Sequence, residues 1–154
     1  MINRKVYALF KINKVNFIVI AAHLCARDTN KHVRKKELES ISDLENLLLL
    51  KGGKINDEVR DAISQNNVIL LGDLNLHHPN EIELLENTGF FDLWLEKHSH
   101  TEGITWNPSV NHMINVMLPF DNRRMRLDRL CLKESKQIAL EDISIFSNRR
   151  IGKC

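Results

Sequence analysis

Hydrophobic and polar positions along the chain mark out a small set of strands. Val6–Ile12 alternates loosely between the two kinds, Phe17–Leu24 is a second β-rich run, and Asn13–Asn16 between them is polar. Two such runs joined by a short polar turn predict a β-hairpin. Four consecutive aliphatic residues, Val68–Leu71, predict a central strand buried on both faces.

The segments between these strands carry helical periodicity. Lys31–Leu50, with apolar residues on one side, predicts a single long helix that ends at Gly52-Gly53. Asn56–Ser64, with Asn56 as its cap, and Glu81–Asn87 predict two shorter helices.

The last third of the chain mixes aromatic residues with further strand patterns. Phe90–Trp94 is expected to pack under the sheet, and Asn111–Asn122 to form a loop. Three more strands are predicted, at Ile104–Pro108, Arg123–Leu132 and Ile138–Phe146. Alternating strands and helices indicate an α/β sandwich, and the length favours one domain over residues 1–154.

Composition narrows the class of protein. The 154 residues are 43% hydrophobic and 27% charged with a net charge of +2, which is typical of a soluble globular protein and excludes disorder. The three cysteines form no Cys-x-x-Cys pair, so reduced thiols in an intracellular compartment are expected. The longest apolar run, Phe17–Ala22, is too short to span a bilayer.

The candidate chemistry begins directly after the central strand. Asp73 and Asn75 follow Gly72, and residues two apart in an extended backbone project to the same side. A carboxylate and a carboxamide would then point together beyond the strand. The alternative is a turn, because Gly, Asp and Asn are common turn residues.

Three further polar or aromatic residues, His23, Trp106 and Asp128, lie at or near the ends of predicted strands. Ligands of layered α/β folds bind beyond strand ends, so these residues could form one site with Asp73 and Asn75. Each alone has a plainer interpretation: a surface histidine, a core tryptophan and an ion-paired aspartate.

The arginine and histidine residues are weaker evidence for a phosphate or metal site. The clustered arginines could steer a phosphate, or protect a solvated strand edge; they are Arg123, Arg124, Arg126, Arg129, Arg149 and Arg150. His77 and His78 look like metal ligands, but no carboxylate partner stands at a fixed spacing from them.

Four motifs in order carry a family resemblance: Ala22-His23-Leu24, Gly72-Asp73-Leu74-Asn75, Thr105-Trp106-Asn107 and Arg126-Leu127-Asp128-Arg129-Leu130. Over residues 6–132 the chain resembles the endonuclease/exonuclease/phosphatase superfamily, most of all its 5′-tyrosyl-DNA phosphodiesterase branch. The resemblance implies part of a four-layer α/β sandwich. It also implies Mg²⁺-dependent (or Mn²⁺-dependent) hydrolysis of phosphate esters, with nucleic acid as one substrate and DNA repair as one role.

The resemblance also implies roles for individual residues. Asp73 would be the base or orienting group for the attacking water, Asn75 would contact the phosphate as a catalytic residue, and the two together would hold the metal. His23 would donate a hydrogen bond to a phosphate oxygen, and Asp128 would orient a catalytic histidine. The implied substrate contacts are Trp106, Asn111 and Arg129.

Departures from the family pattern predict an incomplete domain. The family's metal-binding Glu and its Ser-Asp-His have no match, no histidine follows Asp128, and Arg27 stands near the position of the branch's Glu. We therefore expect a truncated domain that is inactive alone. A non-catalytic nucleic-acid- or protein-binding remnant is the alternative, and a plain structural α/β domain is the third hypothesis. Half a sandwich would leave one sheet face bare and prone to association.

Overall fold

A computed structural model describes residues 5–50 and 55–146, and places a five-stranded sheet at the centre of the fold. Its strands are β1 (Lys5–Ile12), β2 (Val15–Ala22), β3 (Val68–Asp73), β4 (Phe90–Asp92) and β5 (Asp128–Lys133). Their order is β1-β2-β3-β5-β4, with β2 and β3 parallel and the other neighbours antiparallel. The predicted hairpin is confirmed.

The turn between β1 and β2 explains the tightness of this hairpin. Asn13 and Lys14 both have positive φ, 49° and 69°. Two-residue turns of this kind match the right-handed twist of the strands that they join. The hairpin register therefore pairs Ile12 with Val15 and runs without a break to Lys5 and Ala22.

The helices are α1 (Lys31–Ser42), α2 (Leu44–Leu50), α3 (Asp57–Ser64), α4 (Ile82–Glu86), α5 (Leu93–Lys97) and α6 (His112–Met117). The single helix predicted over Lys31–Leu50 is wrong, because Asp43 leaves the helical region with ψ 66°. The cap predicted for α3 is confirmed, since the side chain of Asn56 accepts from the backbone N–H of Val59 at 3.0 Å. Gly52-Gly53 lies outside the described residues.

Several predictions for the last third are corrected. Phe90–Asp92 forms an edge strand paired with β5, so it lies in the sheet rather than under it. Trp106 makes one isolated bridge with Met125, where strands were expected at 104–108 and from Arg123 onward. The loop predicted over residues 111–122 contains α6, and residues 138–146 form no strand.

The core lies on one face of the sheet only. Ile18, Ile20 and Leu70 are at most 1% exposed and pack with the apolar side of the helices. Ile69 and Leu71, on the opposite face of β3, are only partly buried. The prediction that the central strand is buried on both faces is therefore wrong. The described residues form one helix layer and one sheet layer.

None of the helices described in residues 5–50 and 55–146 is long and apolar enough to cross a membrane.

Candidate active site

The parallel strands β2 and β3 end side by side and bring two candidate residues together. His23 Nε2 lies 3.7 Å from Asp73 Oδ2, and the N–H of Leu24 donates to the carbonyl of Asp73 at 3.0 Å. Gly72 makes this approach possible. A Cβ at its position would stand 2.1 Å from the carbonyl oxygen of Ala22, and its φ of +127° suits glycine alone.

The Asp73-Leu74-Asn75 segment is both a turn and part of the site. Asp73 Oδ1 accepts from the backbone N–H of Asn75 at 3.1 Å, which is an Asx turn. Asn75 adopts φ 50° and is buried, and its Nδ2 donates to the carbonyl of Leu24 at 3.0 Å. The expectation of two side chains projecting in parallel is wrong, because the backbone is no longer extended at Asn75.

Asp128 supplies a second carboxylate beside Asp73. The two residues are directly paired across β3 and β5, so their side chains lie on the same face of the sheet. Thr105 Oγ1 accepts from the N–H groups of Leu127 and Asp128, at 3.2 and 3.1 Å, and thereby fixes the start of β5. Burial, and then the charge of Asp128, raise the pKa of Asp73 despite the opposing effects of the Asn75 N–H and His23.

The raised pKa of Asp73 predicts a stability effect at neutral pH. Folding penalises its ionised form, so native stability falls as pH rises from about 4 through the raised pKa. Asp73→Asn is therefore expected to raise Tm at pH 7 by about 1–3 °C, a small effect because Asp73 remains partly solvated. The gain should vanish near pH 4, as thermal unfolding followed by circular dichroism would show.

The control for this experiment is Asp57→Asn, which changes a fully exposed carboxylate on α3. It should give no such gain. An unchanged or lowered Tm for Asp73→Asn at pH 7 would contradict the prediction that the ionised carboxylate of Asp73 destabilises the fold.

A buried ion pair beneath the site, Arg34 with Glu81, was not predicted from the sequence. Both side chains are 0% exposed, and Arg34 Nη2 lies 2.6 Å from Glu81 Oε1. Arg34 also donates to the carbonyls of Cys25 and Arg27, in the loop after His23. The pair therefore anchors that loop to α1 and to the residues following Asp73.

The other oxygen of Glu81 holds the loop after Asn75. Glu81 Oε2 accepts from the backbone N–H groups of His77 and His78 at 2.9 and 3.1 Å. The ring of His78 contacts the carboxylate of Asp28 across the two loops. These contacts link the segments that follow β2 and β3, so they position His23 and Asp73 relative to each other.

The three residues that were predicted to contact substrate lie in different environments. Trp106 is partly buried next to Thr105, and Asn111 caps α6 by accepting from the N–H of Met113 at 3.1 Å. Arg129 is buried, and its Nη1 lies 2.6 Å from Asp92 Oδ2. Arg126 binds the same carboxylate at 2.7 Å.

The single negative charge of Asp92 is therefore shared by two arginines. Burial raises the pKa of Asp92, but hydrogen bonds and charge from Arg126 and Arg129 outweigh it, and the net direction is down. Of the other clustered arginines, Arg123 pairs with Asp121 and Arg124 with Glu102. Arg149 and Arg150 fall outside the part of the chain that the structure describes.

The fit of a divalent cation depends on the carboxylates at the sheet border. Within residues 5–50 and 55–146, no group of three or more His, Cys, Asp and Glu side chains converges as a metal site. Asp73 and Asp128 are two neighbouring carboxylates, which is the protein contribution that Mg²⁺ often uses together with water and substrate phosphates. The residues fit part of such a site.

The chain shares its α/β fold with part of larger solved structures, in agreement with the partial sandwich that the motifs predicted. TDP2 of D. rerio, complexed with a single-strand DNA product, superposes with a TM-score of 0.61 and 20% identity. That match covers 91% of this chain and 50% of the other. A β-hairpin deletion mutant of beta toxin from Staphylococcus aureus gives a TM-score of 0.59 and 20% identity, covering 99% of this chain and 55% of that one.

A truncated TDP2 of Caenorhabditis elegans gives a TM-score of 0.55 and 22% identity over 81% of this chain and 44% of that one. The chain therefore spans about half the length of the solved structures that it matches. At these identities the likeness establishes the fold. Neither a protein-family model nor a curated protein matches the sequence.

Proposed function

We propose that the chain provides one half of a metal-dependent phosphodiesterase site that acts on phosphate esters such as nucleic acid. The observation that carries the proposal is the meeting of His23, Asp73 and Asp128 at one border of the sheet. Asp73 would accept a proton from the attacking water or orient it, and a raised pKa makes it a better base. His23 would donate a hydrogen bond to a phosphate oxygen.

Mg²⁺, or Mn²⁺ in its place, belongs to this proposal. When bound, such an ion stabilises the negative charge that grows on phosphoryl oxygens. Asp73 would hold it with Asn75, whose side-chain oxygen would be the ligand while its Nδ2 donates to the carbonyl of Leu24. Asp128 adds a second carboxylate next to Asp73.

Nucleic acid is the substrate that the comparisons favour, since one of the similar structures is described in complex with a single-strand DNA product. Trp106 and Asn111 would contact the substrate, as the family resemblance implies. Arg129 would reach substrate only if its ion pair with Asp92 opened, so we assign it the weakest contact.

The isolated chain is expected to be inactive. The catalytic histidine that the resemblance pairs with Asp128 has no match in this sequence. The described residues also supply only part of a metal site. Each missing group removes transition-state stabilisation worth orders of magnitude in rate.

The alternative function is a non-catalytic nucleic-acid- or protein-binding remnant. It is favoured by the contrast between an intact supporting structure, with the Arg34–Glu81 pair fully formed, and a partial set of reactive groups.

Hydrolysis of a chromogenic phosphodiester with added Mg²⁺ tests the predicted inactivity of the chain. We expect the wild-type chain, Asp73→Asn and the control Asp57→Asn to show the same background rate. Turnover that Asp73→Asn abolishes and Asp57→Asn retains would refute the predicted inactivity while supporting the assigned role of Asp73. If all three proteins show only the background rate, the site is tested instead by measuring oligonucleotide binding.

A further inference from the structure

The face of the sheet opposite the helices, here called the open face, is apolar along its strands except at the last residue of β3 and the first residue of β5. The strand register assigns its side chains: Val6, Ala8, Phe10, Ile12, Val15, Phe17, Val19, Ala21, Ile69, Leu71, Phe91, Leu130 and Leu132. The first polar groups on this face are His23, Asp73 and Asp128, at its border. The open face therefore ends where the candidate active site begins.

Exposure separates the two faces of the same strands. On the open face Val6 is 70% exposed, Ile12 59% and Phe10 46%. Phe10 stacks only on Phe17 across the hairpin, with ring centroids 5.5 Å apart. On the helix face of β2, Ile18 is 1% exposed. At the other end of the open face Leu132 is 8% exposed, so the described residues cover this face only in part and leave it most exposed along β1.

The open face is large enough to matter energetically. Strands about 4.8 Å apart and about six residues long give a five-stranded sheet a footprint of roughly 400 Å². The largest apolar patch of a typical monomer has this size, about 300–600 Å², and such patches are often functional surfaces. Sheets bury such faces against a second sheet at a spacing of about 10 Å.

The number of sheet and helix layers indicates what kind of structure could cover the open face. The described chain has one helix layer and one sheet layer, and it spans about half the length of the structures that share its fold. A second sheet with helices on its outer side would restore a helix–sheet–sheet–helix order. This chain has one sheet with helices on one side of it, so a second copy of the chain can supply both missing layers.

We propose that two copies of this chain pack open face against open face as a symmetric dimer. A two-fold axis requires each patch to complement itself, and an apolar face whose carboxylates, Asp73 and Asp128, are confined to its border meets that requirement. Because His23, Asp73 and Asp128 line the border, the second copy forms one wall of the space in front of the candidate site. A sheet supplied by a different polypeptide is the competing occupant.

The oligomeric state of the 154-residue chain tests the proposal, by sedimentation velocity over a range of concentrations. Val6→Lys and Phe10→Lys place a charge on the open face. Phe120→Lys is the matched control, since Phe120 is 95% exposed and lies outside that face. Circular dichroism confirms folding, and Ile12→Lys replaces Phe10→Lys if the latter unfolds.

The expected result is a dimer for the wild type and for Phe120→Lys, and a folded monomer for the open-face variants. A folded wild-type monomer would overturn the proposal, and so would a dimer that the open-face variants leave intact. Open-ended aggregates in place of a closed dimer would also overturn it. The measurement does not involve catalysis, so its failure leaves the proposed phosphodiesterase site untouched.

Discussion

Glu81→Gln is expected to lower the free energy of unfolding by about 3–5 kcal/mol, because it leaves the guanidinium of Arg34 buried without a counter-charge. The amide also weakens the acceptor for the backbone N–H groups of His77 and His78. The loops after β2 and β3 should loosen together. Urea denaturation at neutral pH measures the loss.

Two further variants sharpen this test. Glu83→Gln makes the same change at an exposed position of α4 and should stay within about 0.5 kcal/mol of the wild type. Arg34→Lys keeps the charge but cannot reproduce the forked contacts of Arg34 with Glu81, Cys25 and Arg27, so it should remain destabilising. Equal stability of Glu81→Gln and Glu83→Gln would show that the buried pair does not anchor the loops.

Gly72→Ala is expected to cost more than about 3 kcal/mol and to separate His23 from Asp73. The new Cβ would stand 2.1 Å from the carbonyl oxygen of Ala22, which belongs to backbone that cannot rotate away. Relief requires the ends of β2 and β3 to move apart. Thermal and urea unfolding would detect the loss of stability.

Gly89→Ala is the matched control for this substitution. Gly89 also has a positive φ, 75°, but no atom lies within 4 Å of its added Cβ. It should therefore cost only the conformational strain, about 1 kcal/mol. If the two glycine variants are equally stable, the close approach of β2 to β3 is not what requires glycine at position 72.

Local patterns predicted the elements whose causes are local. The polar turn predicted over Asn13–Asn16 and the cap at Asn56 are properties of a few adjacent residues; the cap was found as expected, and the turn was found at Asn13 and Lys14. The ordered motifs also predicted the fold type, and they included His23, Asp73 and Asp128, which the structure places at one sheet border.

Features that depend on distant residues were missed. Arg34 and Glu81 are 47 positions apart, and each alone resembles an ordinary charged residue of a surface helix. Arg129 was predicted to contact substrate, yet Asp92, 37 positions away, holds its guanidinium. An aliphatic run such as Val68–Leu71 also has the same composition whether or not its second face is covered.

The most direct test of the proposed site is the effect of Mg²⁺ on binding of a 5′-phosphorylated single-stranded oligonucleotide, measured by fluorescence anisotropy. With EDTA, Asp73→Asn should bind at least as tightly as the wild type, because it removes a negative charge that faces the phosphate. Added Mg²⁺ should tighten binding about tenfold for the wild type and for Asp57→Asn, and leave Asp73→Asn unchanged. An equal Mg²⁺ response in all three proteins would contradict a phosphate-ester site at Asp73.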